Sequence, residues 1–413
     1  MEKNNNIIED FLIMMLIIVC SYQRIFLNIS SFLDEILLIL IFLFEIVKFI
    51  IKRKKINIKE IIPWAIFIVI TMFNILLKKY EPRAYFEEIF NYLKIIILFE
   101  TFRLANLDKQ RYKKLMIFFV VINLISMLYG IFTFHFYKVI GYTVGDKFRN
   151  GVLRIRGLSG HPIALGFSSL LVLIFMYELK KENKKQKIIS CIIGLISLYS
   201  LYLTQSRIVL AFAIGYFIFK ILQKIVEKNN KKKNLFIAII ICLIIGISTI
   251  TIISNINNIK NYLSDDIENT IRMYALQKSF EVFVKYPILG TGVGTFSDSA
   301  SIKYNSYVYS EFNFYRFKDF LTEESGNVFE SYLAKVIIET GIIGILFHIV
   351  FFKRYFKIAK RTNSTALYYL LICMCISMIL NKAYQIPFVI GMAVIISNKN
   401  YMLLKEKKTE KKE

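Results

Sequence analysis

Apolar runs separated by short, lysine-rich connections recur along the whole chain. Twelve can be marked, at residues 8–23, 32–51, 60–77, 84–102, 115–134, 162–179, 188–204, 207–223, 235–253, 331–352, 366–380 and 384–404. Most approach or reach the length, about 17 to 25 residues, at which an α-helix crosses the hydrocarbon of a bilayer. Unbroken apolar stretches of this length predict helices rather than alternating, half-buried strands. The fourth run, with Glu87, Glu88, Lys94 and Glu100, is the least apolar. The expected fold is therefore all-α: a polytopic membrane protein of about twelve transmembrane helices.

Composition agrees. Of 413 residues, 56% are hydrophobic and 15% aromatic, more apolar surface than one water-soluble core requires. The formal net charge of +24 would suit a nucleic-acid partner, but its lysines are clustered between the apolar runs. Dense basic groups (Lys52 to Lys55; Arg111, Lys113, Lys114; Lys180 to Lys185; Lys231 to Lys233; Lys353 to Arg361; the tail KEKKTEKKE) occupy alternate connections. The positive-inside rule places these in the cytoplasm with both termini, so the charge reports topology and no nucleic acid is expected. The N-terminal MEKNNNIIEDFLIMMLIIVC has no small-residue cleavage site and reads as a retained first span. Cys20, Cys191, Cys242, Cys373 and Cys375 all lie inside apolar runs, so neither a disulfide framework nor a zinc site follows.

Two outer segments remain, 135–161 and 254–330. The expected organisation is a bundle of nine spans (1–253), an extracytoplasmic loop domain (254–330), three further spans (331–404) and a basic cytoplasmic tail (405–413). The long loop is slightly acidic, and no inverted internal repeat of the kind found in many transporters is visible.

Candidate chemistry sits at the outer face. In RIRGLSGHPIALGF (154–167), Arg154 and Arg156 face one way if the segment is extended, and Gly157 and Gly160 permit close backbone approach. Pro162 suits the first turn of the sixth span. Guanidinium forks beside a helix N-terminus make an anion site, and lipid headgroups are the plainer partner. His161 is a candidate general base or a capping residue. Arg207 stands at the very short outer connection YLTQSRIVLA, where an arginine is costly unless it meets an anion or a carboxylate.

An amphipathic helix is expected over 266–285, carrying Arg272, with Ile271, Tyr274, Ala275, Phe280 and Phe283 on its apolar side, lying near the outer interface. YPILGTGVGTFSD follows, with Gly290, Gly292 and Gly294. It lacks the last glycine of a dinucleotide fingerprint and no strand precedes it, so a tight turn with N–H groups directed at a ligand is expected instead. TEESGNVFESYLAKVIIETGIIGILF then leads into the tenth span, with Glu330 near its N-terminus and Glu339 beside Gly341 and Gly344.

The order of these parts resembles the bacterial O-antigen ligase and polysaccharide polymerase family over about residues 150–350: Arg-x-x-Gly with His-Pro, Ser-Arg at a tight outer turn, an Arg-bearing helix running into P-x-LG-x-G-x-G, then E-x-G-x-x-G. The resemblance implies a helical bundle of the C-type glycosyltransferase kind in the bacterial cytoplasmic membrane, with an outward-facing active site. It implies metal-independent, inverting transfer without a cofactor, from a glycan on undecaprenyl diphosphate. Arg156, Arg207 and Arg272, with Arg154 beside them, would hold the donor diphosphate, and membrane lipid, a chain-length regulator and a flippase are the implied partners.

The ligases have a histidine late in the large loop; here the histidines are His135, His161 and His348, and the matching neighbourhood reads FESYL. That version looks more like the repeat-unit polymerases of O-antigen, capsule or exopolysaccharide, with Glu330 as base or acceptor-positioning residue. A ligase without its loop histidine is the alternative within the family. A transporter or flippase is the alternative outside it, resting on Glu45, Lys48, Lys94 and Lys335 in or near spans.

Overall fold

The computed structural model describes residues 2–26, 33–51, 58–78, 80–105, 107–140, 147–149, 152–179, 181–227, 267–314, 331–380 and 386–398. In chain order these form α1 (Glu2–Ser21), α2 (Gln23–Phe26), α3 (Leu33–Ile51), α4 (Ile58–Lys78), α5 (Pro82–Ala105) and α6 (Lys109–Ile140). A hairpin of β1 (Lys147–Arg149) and β2 (Val152–Arg154) follows, then α7 (Pro162–Glu178), α8 (Lys184–Leu203) and α9 (Arg207–Glu227). The rest comprises α10 (Ile267–Lys285), α11 (Ser299–Lys303), α12 (Tyr307–Glu311), α13 (Tyr332–Arg361), α14 (Thr365–Leu380) and α15 (Ile386–Ile396).

A helix lies over every expected span except the ninth, 235–253, which falls outside the described residues. Among the described residues, three helices are long and apolar enough to cross a bilayer, over Lys109–Tyr137, Lys184–Leu203 and Tyr332–Arg361. α8 leaves Ile188, Ile189, Ile192, Leu195 and Tyr202 exposed, an apolar outer face that suits lipid rather than water.

The chain divides into two compact units. The first holds Met1–Glu45, Thr101–Ile259 and Gln385–Glu413. Its centre is α7, whose side chains from Ala164 to Met176 are all buried and which packs on α6, α8, α9 and α15. A helix that is apolar all round belongs inside a bundle. Ser169 Oγ donates to Ser200 Oγ of α8 at 3.1 Å, and Ser190 Oγ to the carbonyl of Met176 at 3.0 Å.

The second unit holds Ile46–Glu100 and Lys260–Tyr384. Here α4, α5 and α13 share an aromatic seam: Phe67 stacks on Phe347 at 3.9 Å between centroids, Trp64 meets Phe347 edge-on at 4.9 Å, and Phe99 meets Tyr355 at 4.9 Å. Glu100 closes that end, accepting from Arg354 Nη2 at 3.0 Å and from the Tyr355 hydroxyl at 2.6 Å.

The structure corrects two expectations and adds one element. The tenth span is not one straight helix: Gly341, at φ 56° and ψ −144°, divides α13 into two legs, 332–340 and 342–361. Tyr332 and His348 are 16 residues apart, yet the tyrosine hydroxyl lies 3.3 Å from His348 Nε2. On a straight helix, at 1.5 Å per residue, their Cα atoms would be about 24 Å apart. The first leg therefore folds back along the second.

In α10 the buried positions are Ala275, Ser279 and Val282, whereas Phe280, expected on the buried side, is 60% exposed. The added element is the antiparallel hairpin, with Arg149 opposite Val152. Asn150-Gly151 between two short apolar stretches is its signal in the sequence.

Candidate functional site

In the first unit, the stretch after β2 lies against the turn that joins α8 to α9. Arg154 Nε donates to the carbonyl of Thr204 at 3.0 Å, and the amide of Ile155 to the carbonyl of Leu203 at 3.3 Å. Leu158 N donates to Ser126 Oγ of α6 at 2.9 Å, so the segment is held from a second side. The α8–α9 turn closes within three residues, with Gln205 in the left-handed region at φ 50°. Arg207 is then the first residue of α9 and is exposed.

These contacts bring two separate sequence motifs to one end of the unit, with Arg154 and Arg156 beside the turn that presents Arg207. Arg154 spends one donor on the turn itself, so it acts as a strut as well as a charge. Arg207 adds its guanidinium to a helix start, where backbone N–H groups and the helix dipole already favour an anion. His161 caps α7, its Nδ1 accepting from the amide of Ile163 at 3.2 Å. This is the capping role the sequence allows.

In the second unit, the glycine turn and E-x-G-x-x-G interlock. The break at Gly341 would orphan backbone groups at both helix ends, and the turn supplies the partners. The amides of Ile342 and Ile343 donate to the carbonyls of Pro287 and Ile288 at 2.8 and 3.4 Å. The carbonyls of Ile338 and Glu339 accept from the amides of Thr291 and Gly292 at 2.8 and 2.9 Å. Broken helix at membrane depth is tolerated where protein re-satisfies its backbone, and here four hydrogen bonds do so. The approach is close enough that a Cβ on Gly341 would lie 2.6 Å from Pro287 O, and one on Gly290 would lie 2.4 Å from the Glu339 carbonyl carbon.

The expectation that the turn directs its N–H groups at a ligand is corrected by the same geometry. Gly294 N and Phe296 N both donate to Glu339 Oε1 at 2.9 Å, and the Tyr92 hydroxyl donates to Glu339 Oε2 at 2.7 Å. The turn's anion is the protein's own carboxylate. Gly290, Gly292 and Gly294 are buried among Glu339, Tyr80 and Ala84.

Beside Glu339 lies an ion cluster that sequence reasoning did not assemble. Lys335, buried, pairs with Glu88 of α5 and, at 3.1 Å, with Asp298 Oδ2. Asp298 caps α11 through Ser301 N, and Glu88 also accepts from Asn91 at 3.0 Å. Lys335 thus has two carboxylate partners, which removes it from the support for a transporter. The one signal in the sequence was the charge density of the fourth apolar run.

Outside the spans, burial holds the Tyr309 phenol above its ordinary pKa, so it stays neutral. It accepts from Ser297 N at 3.0 Å and lies 2.7 Å from Ser301 Oγ. Burial first, then the Glu339 carboxylate, push the Tyr80 phenol up in the same direction.

Of the other residues singled out, Arg272 lies on α10 in the second unit, but its side chain is outside the described residues, as is Glu330 altogether.

Gly341→Ala is expected to destabilise the protein, since left-handed backbone costs an L-residue about 1–2 kcal/mol and forcing a methyl into packed backbone about 1–3 more. Gly194→Ala, which meets nothing within 4 Å, is the control. Thermal unfolding of the two purified variants measures the difference; equal midpoints would contradict the interlock.

No curated protein matches the chain. Residues 192–349 match a family model described as O-antigen ligase. The matched stretch opens inside α8 and takes in Arg207, α10, the glycine turn, Asp298 and Lys335 of the ion cluster, the first leg of α13 and the start of the second, while Glu88, Arg154 and Arg156 precede it. Over these residues the chain is similar to the O-antigen ligase family, in a mostly helical protein that has, among its described residues, three helices long and apolar enough to cross a membrane.

Proposed function

We propose that this protein polymerises undecaprenyl-diphosphate-linked oligosaccharide repeat units of O-antigen, capsule or exopolysaccharide at the outer face of the bacterial cytoplasmic membrane. The observation that carries this is the placing of Arg154, Arg156 and Arg207 together at the α8–α9 turn, next to and within the stretch that matches the family. A lipid diphosphate leaving group develops negative charge as the bond from its oxygen to the anomeric carbon breaks. Arginine remains charged and grips phosphate through paired donors, so fixed guanidinium groups stabilise that charge without a metal or other cofactor. An acceptor hydroxyl attacks the anomeric carbon from the opposite face, inverting it, and its proton passes to a base, the role given to Glu330. Arg272 is given a diphosphate-binding role by the family resemblance alone. Membrane lipid, a flippase that delivers the donor and a regulator of chain length are its partners.

Polymerase is preferred to ligase because the loop of this chain contains FESYL and no histidine. Glu330→Gln tests the assignment in nanodiscs, with the native lipid-linked repeat unit as substrate. Loss of a catalytic base is expected to slow turnover by about 10²–10⁴-fold while donor binding persists. A Glu330→Gln protein that extends glycan at the wild-type rate would remove Glu330 from the reaction.

A further inference from the structure

We propose that α10 lies at the membrane surface and rests a row of apolar side chains, Phe280, Val284 and Ile288, in the acyl chains of the bilayer. The helix carries three rows. Ala275, Ser279 and Val282 are buried, and Ala275 and Val282 share one core with Ala334 and Ile338 of the first leg of α13. Gln277, Glu281 and Lys285 form an exposed polar row. Phe280 and Val284, four residues apart and so on one face, form the third, which Ile288 extends past the helix end. These three are 60, 82 and 62% exposed. Apolar side chains scattered singly over a surface are ordinary, whereas a contiguous set marks an interaction site.

The neighbour of the row says what covers it. The carbonyls of Pro287 and Ile288 accept from the amides of Ile342 and Ile343, so the end of the row meets the start of the second leg of α13. That leg belongs to a helix long and apolar enough to cross a bilayer, and Ile342, Leu346 and Ile349, recurring at helical spacing along it, are exposed. The row on α10 therefore continues the apolar surface that this leg presents to lipid. Charge agrees with that placement. Lys278 pairs with Glu281 at 2.6 Å and Lys285 with Glu311 at 2.5 Å, so the ions beside the row are neutralised in pairs, which lowers the cost of holding them near hydrocarbon. A helix with one side in the acyl boundary and a polar flank in water is an interfacial helix, here with its third side taken by its own protein. The glycine turn that continues α10 is thereby held at the membrane surface, whichever reaction the protein performs.

Trp64 is the chain's one tryptophan, so Trp64→Phe combined with Phe280→Trp, or with Val284→Trp, gives two independent single-tryptophan reporters. The full-length protein is placed in nanodiscs free of lipid-linked glycan. With lipids brominated in their acyl chains, each reporter is expected to lose about half or more of its emission, as befits a side chain sunk about 5–10 Å into the acyl boundary. Aqueous iodide is expected to quench each about threefold less than it quenches a Gln277→Trp reporter on the polar row.

Three results would overturn the assignment. Iodide quenching equal to that of Gln277→Trp, with no effect of brominated lipid, would put the row in water. Shielding from both quenchers would mean that protein covers it, as in a dimer of this chain. Iodide quenching that falls only when a lipid-linked donor is added would give the row to the donor's isoprenoid tail instead of the bilayer.

Discussion

Lys335→Met is expected to cost about 3–5 kcal/mol of stability, the range found when one partner of a buried ion pair is removed. The reason is what the substitution leaves behind. Glu88 and Asp298 both rely on the Lys335 ammonium, and side-chain exposures of 6, 9 and 7% for the three groups leave little water to take its place. Asp298 caps α11, so the loss extends into the segment that α11 begins. Adding Glu88→Gln and Asp298→Asn to Lys335→Met removes the orphaned charges, and most of the stability is expected to return. Thermal unfolding in detergent distinguishes the two. A single variant as stable as the wild type would mean that the cluster is hydrated and holds nothing together.

Arg207→Lys is expected to lower turnover by about 10²–10³-fold, the effect of removing one preorganised donor to a developing oxyanion. Lysine keeps the charge but not the planar fork. Arg207 is exposed at the first position of α9, so expression and membrane insertion are expected to be unchanged. Initial rates on the lipid-linked donor measure the effect. A Lys variant with wild-type rates would take Arg207 out of the diphosphate grip.

Most helices were legible because a span must satisfy its backbone internally, which forces a long apolar run into the sequence. Helix ends were less legible. α6 begins at Lys109 and ends at Ile140, beyond both limits of the apolar run at 115–134, because polar and charged residues continue a helix past the hydrocarbon. The reversal at Gly341 was hidden for a different reason. Inside ETGIIG a glycine reads as a small packing residue, and the acceptors and donors that make the break affordable come from residues 287–292, far earlier in the chain.

The buried side of α10 was misjudged because periodicity was read as if the exposed side must be polar. In this protein Phe280 and Val284 are 60 and 82% exposed, and the buried row contains Ser279. At the candidate site, the arginines and the glycine motif could be picked out as residue types, since charge at an outer helix end is costly without a partner. Their partners could not. Nothing in spacing links Arg154 to Thr204, or Lys335 to Glu88, because those contacts are made by tertiary packing.

The most direct test of the central claim supplies the purified wild-type protein in nanodiscs with its native undecaprenyl-diphosphate repeat unit, without any other acceptor, and resolves the products by gel. A polymerase produces a ladder of glycans longer than the input. Bound donor that stays at its input length, and is transferred only when a lipid A core acceptor is added, would contradict that account and make the protein a ligase.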